Sequence, residues 1–499
     1  MKVFIFFIGT PTPVFETELE MIRRHERLGD SVRVLQCSGS LAACHWNPVH
    51  DNLHCAACRS RFRRGWEVLG PGSNVELRQF PPPSGEEPAP VAFDSVEDLK
   101  RWQHDGENIG YGVASSLISY FRDHRFDTRA HATEVSRQLR AAVHVYDTLQ
   151  REFAAFEPDL VYFFNGRIAT HLPAYLLCRK LGIEFRSYEV AGKGDSYRLL
   201  TNKTVHSPLS LEEAAQLRSN WREEHRASAE SVVRQRRLGK HLAKIPVFTA
   251  EQVRGLLPPG FDGAARNIAV FNSTIDEYAG VEGCTNRIYD GDETAALGAV
   301  LAAFEPDARF VFHLRVHPHM KEVASTTSQL VDIRRLAARF ANLRVIWPHD
   351  EIDSYALLDA CEKTLTFGST IGMEATYWGK PSILAGPAFY ENLDCVYRPR
   401  THDELVALLR ADDLPARPAE SALMYFHWEV SDGVPFTWFK ETGLRNGLAS
   451  GTFDGVEIKA DRLPALGCEL SRLMRGAAGV LARPSTALVK LKQYAKTVR

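Results

Sequence analysis

Two successive α/β domains, each built on a parallel sheet and facing one another across a cleft, are what this sequence predicts. Three observations carry that expectation. Short apolar runs alternate with helical stretches, a Leu256-Leu257-Pro258-Pro259-Gly260 segment of linker composition interrupts the series, and 499 residues are too many for a single core. A Cys-rich loop inserted after the second strand and a basic carboxyl-terminal tail complete the plan.

Hydrophobic residues make up 44% and charged residues 24% of the chain, a globular balance that excludes a disordered or fibrous class. Sixty Lys+Arg against 62 Asp+Glu give a net charge of −2, so no nucleic-acid partner is expected and any polyanion site must be local. No apolar stretch reaches the length of a membrane span. The run Val3 to Ile8 leads directly into Gly9-Thr10-Pro11 and reads as a first strand, not a signal peptide. A cytoplasmic location is therefore expected, with the nine cysteines reduced.

The opening is β-α-β: an apolar run 3–8, a helical pattern from Glu16 to Leu28, Gly29-Asp30, and a second run Val32 to Leu35. Strand Val75 to Phe80, a Pro-rich loop (81–90), helices between Val96 and Phe156, and strand Leu160 to Phe164 follow. A helix from Ala169 to Leu181 and a strand from Phe185 to Val190 complete the first series. Residues 209–245 are charged and helical. A second series runs through Ile268 to Phe271, Phe310 to Leu314, Val345-Ile346, Lys363 to Phe367 and Ser382 to Leu384. Apolar strands separated by helices indicate parallel sheets covered on both faces. The expected domains are 1–250, with the insertion at 37–58, then 262–410, and a helical extension with a basic tail over 411–499.

The clearest chemistry lies in the second domain. Strand Phe310 to Leu314 runs out into Arg315-Val316-His317-Pro318-His319, which puts a guanidinium and two imidazoles where α/β sheets bind ligands. Arg315 or a protonated His317 can neutralise a diphosphate. About fifty residues on, a strand ends in Gly368-Ser369-Thr370 and a helix begins, so hydroxyls and backbone N–H groups converge in a phosphate-binding pattern. Glu374, in the first turns of that helix, can accept both hydroxyls of a ribose. The plainer reading of the same residues is an N-cap with a nearby Glu.

These two elements in this order, with Asn165-Gly166-Arg167 and Tyr188-Glu189 in the first half, resemble glycosyltransferases of the two-Rossmann-domain GT-B architecture. The similarity is greatest to the capsule and surface polysaccharide biosynthesis group. It implies transfer of a sugar from a nucleotide-sugar donor to a cell-surface polysaccharide or lipid-linked glycan acceptor, with the nucleotide in the second domain. In bacterial transferases using CMP-activated acidic sugars, a His-Pro pair and a Ser/Thr pair resemble His317-Pro318 and Ser369-Thr370. The resemblance thus implies that His317 contacts the leaving phosphate and that Ser369 and Thr370 anchor it. The acidic motif of those enzymes has no copy here, which leaves CMP, UDP and GDP donors open.

An acceptor hydroxyl needs a general base. Glu189, at the end of its strand, is the first candidate, with an ion pair as the plainer role, and Asp276-Glu277 the second. Asn165 and Arg167 are candidates for gripping the acceptor. No catalytic metal is expected, because basic side chains and helix dipoles can take up the phosphate charge. Cys37, Cys44, Cys55 and Cys58, in C-x6-C-x10-C-x2-C, suggest a structural zinc site, with an iron–sulfur cluster or unliganded thiols as alternatives. From Leu470 onward seven basic and no acidic residues occur, a tail suited either to peripheral contact with an anionic membrane or to docking back on the protein. Two competing functions share the architecture: a hydrolysing nucleotide-sugar epimerase, and a non-catalytic scaffold of a polysaccharide assembly complex.

Overall fold

The computed structural model describes residues 1–83, 90–192, 195–240, 249–284, 286–445, 448–469 and 471. The chain divides into two compact units. The first comprises Met1–Tyr120, Asp127–Val205 and the chain from Gly433 onward; the second comprises Phe121–Phe126 and His206–Asp432.

In the first unit, strands β1 (Lys2–Phe7), β2 (Ser31–Gln36), β3 (Val75–Gln79), β4 (Leu160–Phe164) and β5 (Glu184–Val190) pair in parallel. β6 (Ser196–Thr201) adds antiparallel to β5, and the short β12 (Val434–Pro435) adds to β6 when the chain returns. The sheet order is β12-β6-β5-β4-β1-β2-β3. β1 is buried from Val3 on and β4 throughout, as expected of central strands covered on both faces.

In the second unit, β7 (Arg266–Phe271), β8 (Phe310–Arg315), β9 (Leu343–Ile346), β10 (Lys363–Thr366) and β11 (Ser382–Leu384) form a wholly parallel sheet, ordered β11-β10-β7-β8-β9. Its core joins Ile268, Val270, Phe312, Leu314 and Leu365 of the strands to Leu297, Val300 and Phe304 of the helix Glu293–Phe304. Numbered from the first strand of each unit, both parallel sheets follow the order 3-2-1-4-5. That is the Rossmann order, with its switch point between β1 and β4 in one unit and between β7 and β10 in the other. All ten strands read from the sequence are present.

The division along the chain differs from the expected 1–250 and 262–410. Residues 206–240 belong to the second unit, where Ala229, Val232 and Val233 of the helix Arg226–Arg237 pack with Leu423 and Phe426 of the helix Ala419–Ser431. Residues 121–126, between two helices of the first unit, also belong to the second. There His124 Nε2 bonds Asp292 Oδ2 at 2.9 Å and Asp123 Oδ2 accepts from Ser328 N at 3.0 Å. The expected helical extension from 411 is interrupted after Ser431 and becomes helical again only over 462–469. Beyond Ser431, β13 (Phe439–Arg445), β14 (Leu448–Phe453) and β15 (Val456–Glu457) make a small antiparallel sheet whose Phe439 and Phe453 enter the first unit's core. The basic tail, apart from Ser471, lies outside the described residues. Among the described residues no helix is long and apolar enough to cross a membrane.

One buried carboxylate takes up three backbone amides of the return segment, beside contacts from Arg23, Arg24 and Arg61. Helix α1 (Val14–Arg27) buries Glu16, Glu18 and Glu20, residue types seldom found inside without partners. Glu20 accepts from the amides of Thr437 (2.7 Å), Trp438 (2.9 Å) and Phe439 (3.3 Å), and its charge is met by Arg24 at 3.1 Å. Glu20→Ala would leave three amides without their acceptor. The expected result is a loss of about 2–4 kcal/mol in denaturant unfolding, with new protease cleavage within 433–458; an unchanged midpoint and digestion pattern would refute this role.

Candidate active site

Parallel register levels the strand ends of the second unit. Phe271 of β7 pairs with Arg315 of β8 on one side and with Thr366 of β10 on the other. The chain therefore leaves the sheet along one edge at Asn272-Ser273-Thr274, Val316-His317-Pro318 and Phe367-Gly368-Ser369-Thr370. A cavity of about 290 Å³ lies among these turns, at the switch point. The structure thus brings Arg315, His317, Gly368, Ser369, Thr370 and Glu374 to one cavity.

Arg315 is only 3% exposed. Its Nη1 donates to Trp347 O at 2.8 Å, its buried Nε has no hydrogen-bond partner, and among the described residues it forms no ion pair. Burial pulls the guanidinium down to about 10, only partly opposed by the more distant Asp350. Arg236 lines the same cavity under the opposite regime. Glu374 Oε1 (3.2 Å) and Glu429 Oε2 (2.7 Å) neutralise it, and they outweigh burial to hold it above the usual value. An incoming anion therefore gains most at Arg315, where a desolvated positive charge has no ion-pair partner among the described residues.

Of the two groups the sequence offered to neutralise a diphosphate, Arg315 is the one that keeps its charge: burial pulls the His317 imidazole down to about 4 against the opposing pull of Glu277, which disfavours the protonated ring at physiological pH. Nδ1 accepts from His319 N at 3.3 Å, which assigns the proton to Nε2. The His317 amide in turn donates to Asn272 Oδ1 at 2.9 Å. A neutral ring acts on a phosphate through hydrogen bonding and not through charge.

The turn after β10 depends on Gly368. Its φ is +129°, and a Cβ there would stand 2.7 Å from Pro387 O. Tyr390 OH donates to Ser369 O at 2.7 Å and fixes the next residue. Thr370 is the N-cap residue of the helix Ile371–Tyr377, as the plainer reading has it, but makes no side-chain cap bond. Glu374 is buried, with Arg236 on one oxygen and Tyr355 OH on the other; a ribose would share an acceptor that is already engaged.

Under the turn after β7 lies Glu293, a residue the sequence did not single out. It accepts from Ser273 Oγ (2.7 Å), Gln329 Nε2 (2.6 Å) and Asn272 Nδ2 (3.2 Å), while burial pushes it up to about 8. Of the second carboxylate candidate, Asp276 pairs with Arg122 at 2.5 Å and Glu277 faces the imidazoles of His317 and His319. Burial pushes Glu277 up, but bonds from His319 and Thr274 and the two imidazoles bring it below the ordinary carboxylate value.

The first unit has the corresponding edge. Phe164 of β4 pairs with Tyr188 of β5, and the next residues, Asn165 and Glu189, meet there. Asn165 turns at φ 60°, a left-handed conformation that Asn tolerates, and Gly166 continues the turn at 89°. Asn165 Nδ2 donates to Glu189 Oε2 at 3.0 Å, and Arg167 Nη1 donates to Ser115 Oγ at 2.8 Å. Burial raises Glu189 above the usual carboxylate range, against the pull of Asn165 and of Arg167. Gly9, after β1, lies under the Trp46 ring, with no room for a Cβ.

Cys55 and Cys58, expected in a loop, lie in helix α2 (Asn52–Leu69). None of the nine cysteines is disulfide-bonded. As the side chains stand, no three His, Cys, Asp or Glu among the described residues are arranged to hold a metal ion.

No family model matches the chain. No curated protein matches it in sequence. Similar solved structures include two transferase structures of KpsC from Thermosulfurimonas dismutans. The β-Kdo 2,4 transferase is 17% identical, with 54% of this chain and 78% of that one covered and a TM-score of 0.30. The β-Kdo 2,7 transferase is 13% identical, with 66% and 89% covered and a TM-score of 0.33. The UDP-GlcNAc 2-epimerase of Methanocaldococcus jannaschii is 12% identical, with 85% and 98% covered and a TM-score of 0.28. Superposition is loose in each case, and the strand order and the site carry the reading that follows.

Replacing Arg315 by Met removes a buried charge that has no ion-pair partner among the described residues. The unliganded protein should melt no lower than the wild type, while affinity for a nucleoside diphosphate or monophosphate falls by about 30-fold or more, the equivalent of about 2 kcal/mol. Nucleotide affinity unchanged by Arg315→Met would remove it from the site. A neutral His317 has a pH signature as well. Its folded value lies below the unfolded one, so its contribution to stability is present above about pH 6.5 and is lost as pH falls toward about 4. Nucleotide affinity should then show no His317-dependent inflection between about pH 6 and 8. An inflection there that disappears in His317→Ala would show that the ring binds as a cation.

Proposed function

We propose that this protein is a glycosyltransferase that holds a nucleotide-sugar donor in the cavity at the carboxyl edge of the second unit and passes the sugar to a glycan or lipid-linked acceptor of the cell-surface polysaccharide class. The observation that carries the proposal is Arg315, a buried guanidinium with no ion-pair partner among the described residues, in a cavity at the switch point of a Rossmann-ordered sheet. Arg315 takes the charge of the leaving phosphate, His317 donates a hydrogen bond to it, and Ser369 and Thr370 anchor it.

In the transfer itself, the bond between the anomeric carbon and the phosphate oxygen breaks, and the nucleotide leaves with the electron pair. A bond forms between the acceptor oxygen and the anomeric carbon. Glu189 accepts the acceptor's proton; burial raises its basicity above that of an ordinary carboxylate, and Asn165 orients it. Arg167 holds the acceptor. With Arg315 and hydrogen-bond donors assigned to the phosphate, no catalytic metal is invoked.

The test is a thermal-shift panel of CMP, UDP, GDP, CDP and ADP, followed by turnover with sugar nucleotides of the responding base. One nucleotide should stabilise the protein, by about 2.7 kcal/mol at a hundredfold excess over its Kd. Ser369→Ala and His317→Ala should lose that response. Glu189→Gln should keep it but lose about a hundredfold or more of transfer. Conversion of the sugar nucleotide to an isomer without acceptor would replace the transferase by an epimerase, and no response to any nucleotide would leave a scaffold.

A further inference from the structure

The stretch between β2 and α2 takes no part in the chemistry above, yet it gathers four cysteines from three separate pieces of chain. Cys37 directly follows β2, Cys44 lies in the connecting loop, and Cys55 and Cys58 are three residues apart in α2, hence on one face of the helix. The three pieces are fastened to one another. Asn47 exchanges backbone hydrogen bonds with Cys44 (3.2 and 3.0 Å), and its Nδ2 donates to Asp51 O at 2.9 Å and to Cys55 Sγ at 3.2 Å. Gly39, at φ 87°, packs so closely on the helix that a Cβ there would be 3.5 Å from Cys55 Cβ. Arg59 Nη1 ties the same turn to α2 through Ser38 O at 3.0 Å.

The sulfurs themselves form a group. Every pair among the four is close enough for each to feel the charge of the other. Of the four sulfurs, Cys55 Sγ accepts a hydrogen bond, from Asn47 Nδ2, the residue that also pairs with the Cys44 backbone.

We propose that Cys37, Cys44, Cys55 and Cys58 form a four-thiolate site for one thiophilic metal centre, which locks the loop after β2 onto α2. The sulfurs do not surround a common point as they stand, so loading draws them inward. A divalent ion that displaces four thiol protons leaves a centre of net charge −2, from two positive and four negative charges. Arg59, which acts on Cys37 and Cys55, and Arg61, which acts on Cys58, offset that charge. Zinc and an iron–sulfur cluster share this ligand chemistry.

The experiment uses the full chain purified anaerobically with reductant, its zinc, iron and acid-labile sulfide measured against protein concentration. About one zinc per chain, or iron with matching labile sulfide and visible absorption, supports the site and tells the two occupants apart. The paired substitution Cys55→Ser with Cys58→Ser should lose the metal, while Cys284→Ser, outside the cluster, retains it. Should the double variant fail to fold, cobalt added to chelator-treated wild-type protein gives a second readout. Thiolate-to-cobalt absorption, with protection of four thiols from a thiol reagent, supports the proposal. A chain that purifies without metal, takes up no cobalt and shows the same thiol reactivity with and without added zinc overturns it.

Discussion

Parallel strand pairing in register is the constraint on which the rest of this structure depends. When neighbouring strands point the same way and end at the same level, every turn that follows them falls on one edge. In the second unit Phe271, Arg315 and Thr366 are level, and in the first Phe164 and Tyr188 are. Residues up to about a hundred positions apart in sequence are thereby delivered to one place, where polar contacts such as His317 N to Asn272 Oδ1 then fix the turns to one another. The buried apolar ladders below supply the energy; the edge is left to polar residues, which contribute chemistry. A slip of one residue in β8 would move Arg315 and His317 to opposite faces together, so the core packing of Phe312 and Leu314 also fixes the aim of the site.

Within that edge, function depends on which charges are left unbalanced. Arg236 and Arg315 are both buried and line the same cavity, but only the former has carboxylates on it. Neutralised, Arg236 works with Tyr355 to position Glu374, and the three form a rigid wall. Arg315 stays a positive charge in a desolvated place, a cost to the empty protein that an anion would remove. His317 gives up its charge to burial, which leaves a directional donor beside a charged one. This division suits a leaving phosphate, which needs charge from one side and a hydrogen bond from another.

The strands were legible because each is a short apolar run bounded by turn residues, and the site because polar residues directly after such runs stand out: Arg315, His317, Ser369 and Asn165 are all of that kind. What the sequence concealed was contributed from a distance. Arg236 meets Glu374 from 138 residues away and Glu429 from 193, and helix periodicity gives no sign of either meeting. Glu293 reads as an ordinary first-turn acidic residue until the fold places Ser273 and Gln329 against it. β6 was missed because it is half-exposed, alternates polar with apolar, and pairs antiparallel outside the parallel ladder.

The same reasoning explains why the division into units was misread. A Pro-Pro-Gly segment marks a turn, and the sequence offers no stronger punctuation between the two strand series. Domain membership, however, is decided by where apolar and buried polar groups find partners. Val232 and Val233 find theirs in the helix Ala419–Ser431, which carries the charged stretch 206–240 into the second unit. Phe439 and Phe453 find theirs in the first unit's core, and Glu20 offers three backbone amides of the returning chain a buried acceptor. A carboxylate that is fully buried only because chain arriving some 417 residues later covers it has no local sequence signature. Phe439, Phe453 and Ile458 of the returning chain are thus part of the first unit's core, and that core is completed only by residues that follow the second unit in sequence.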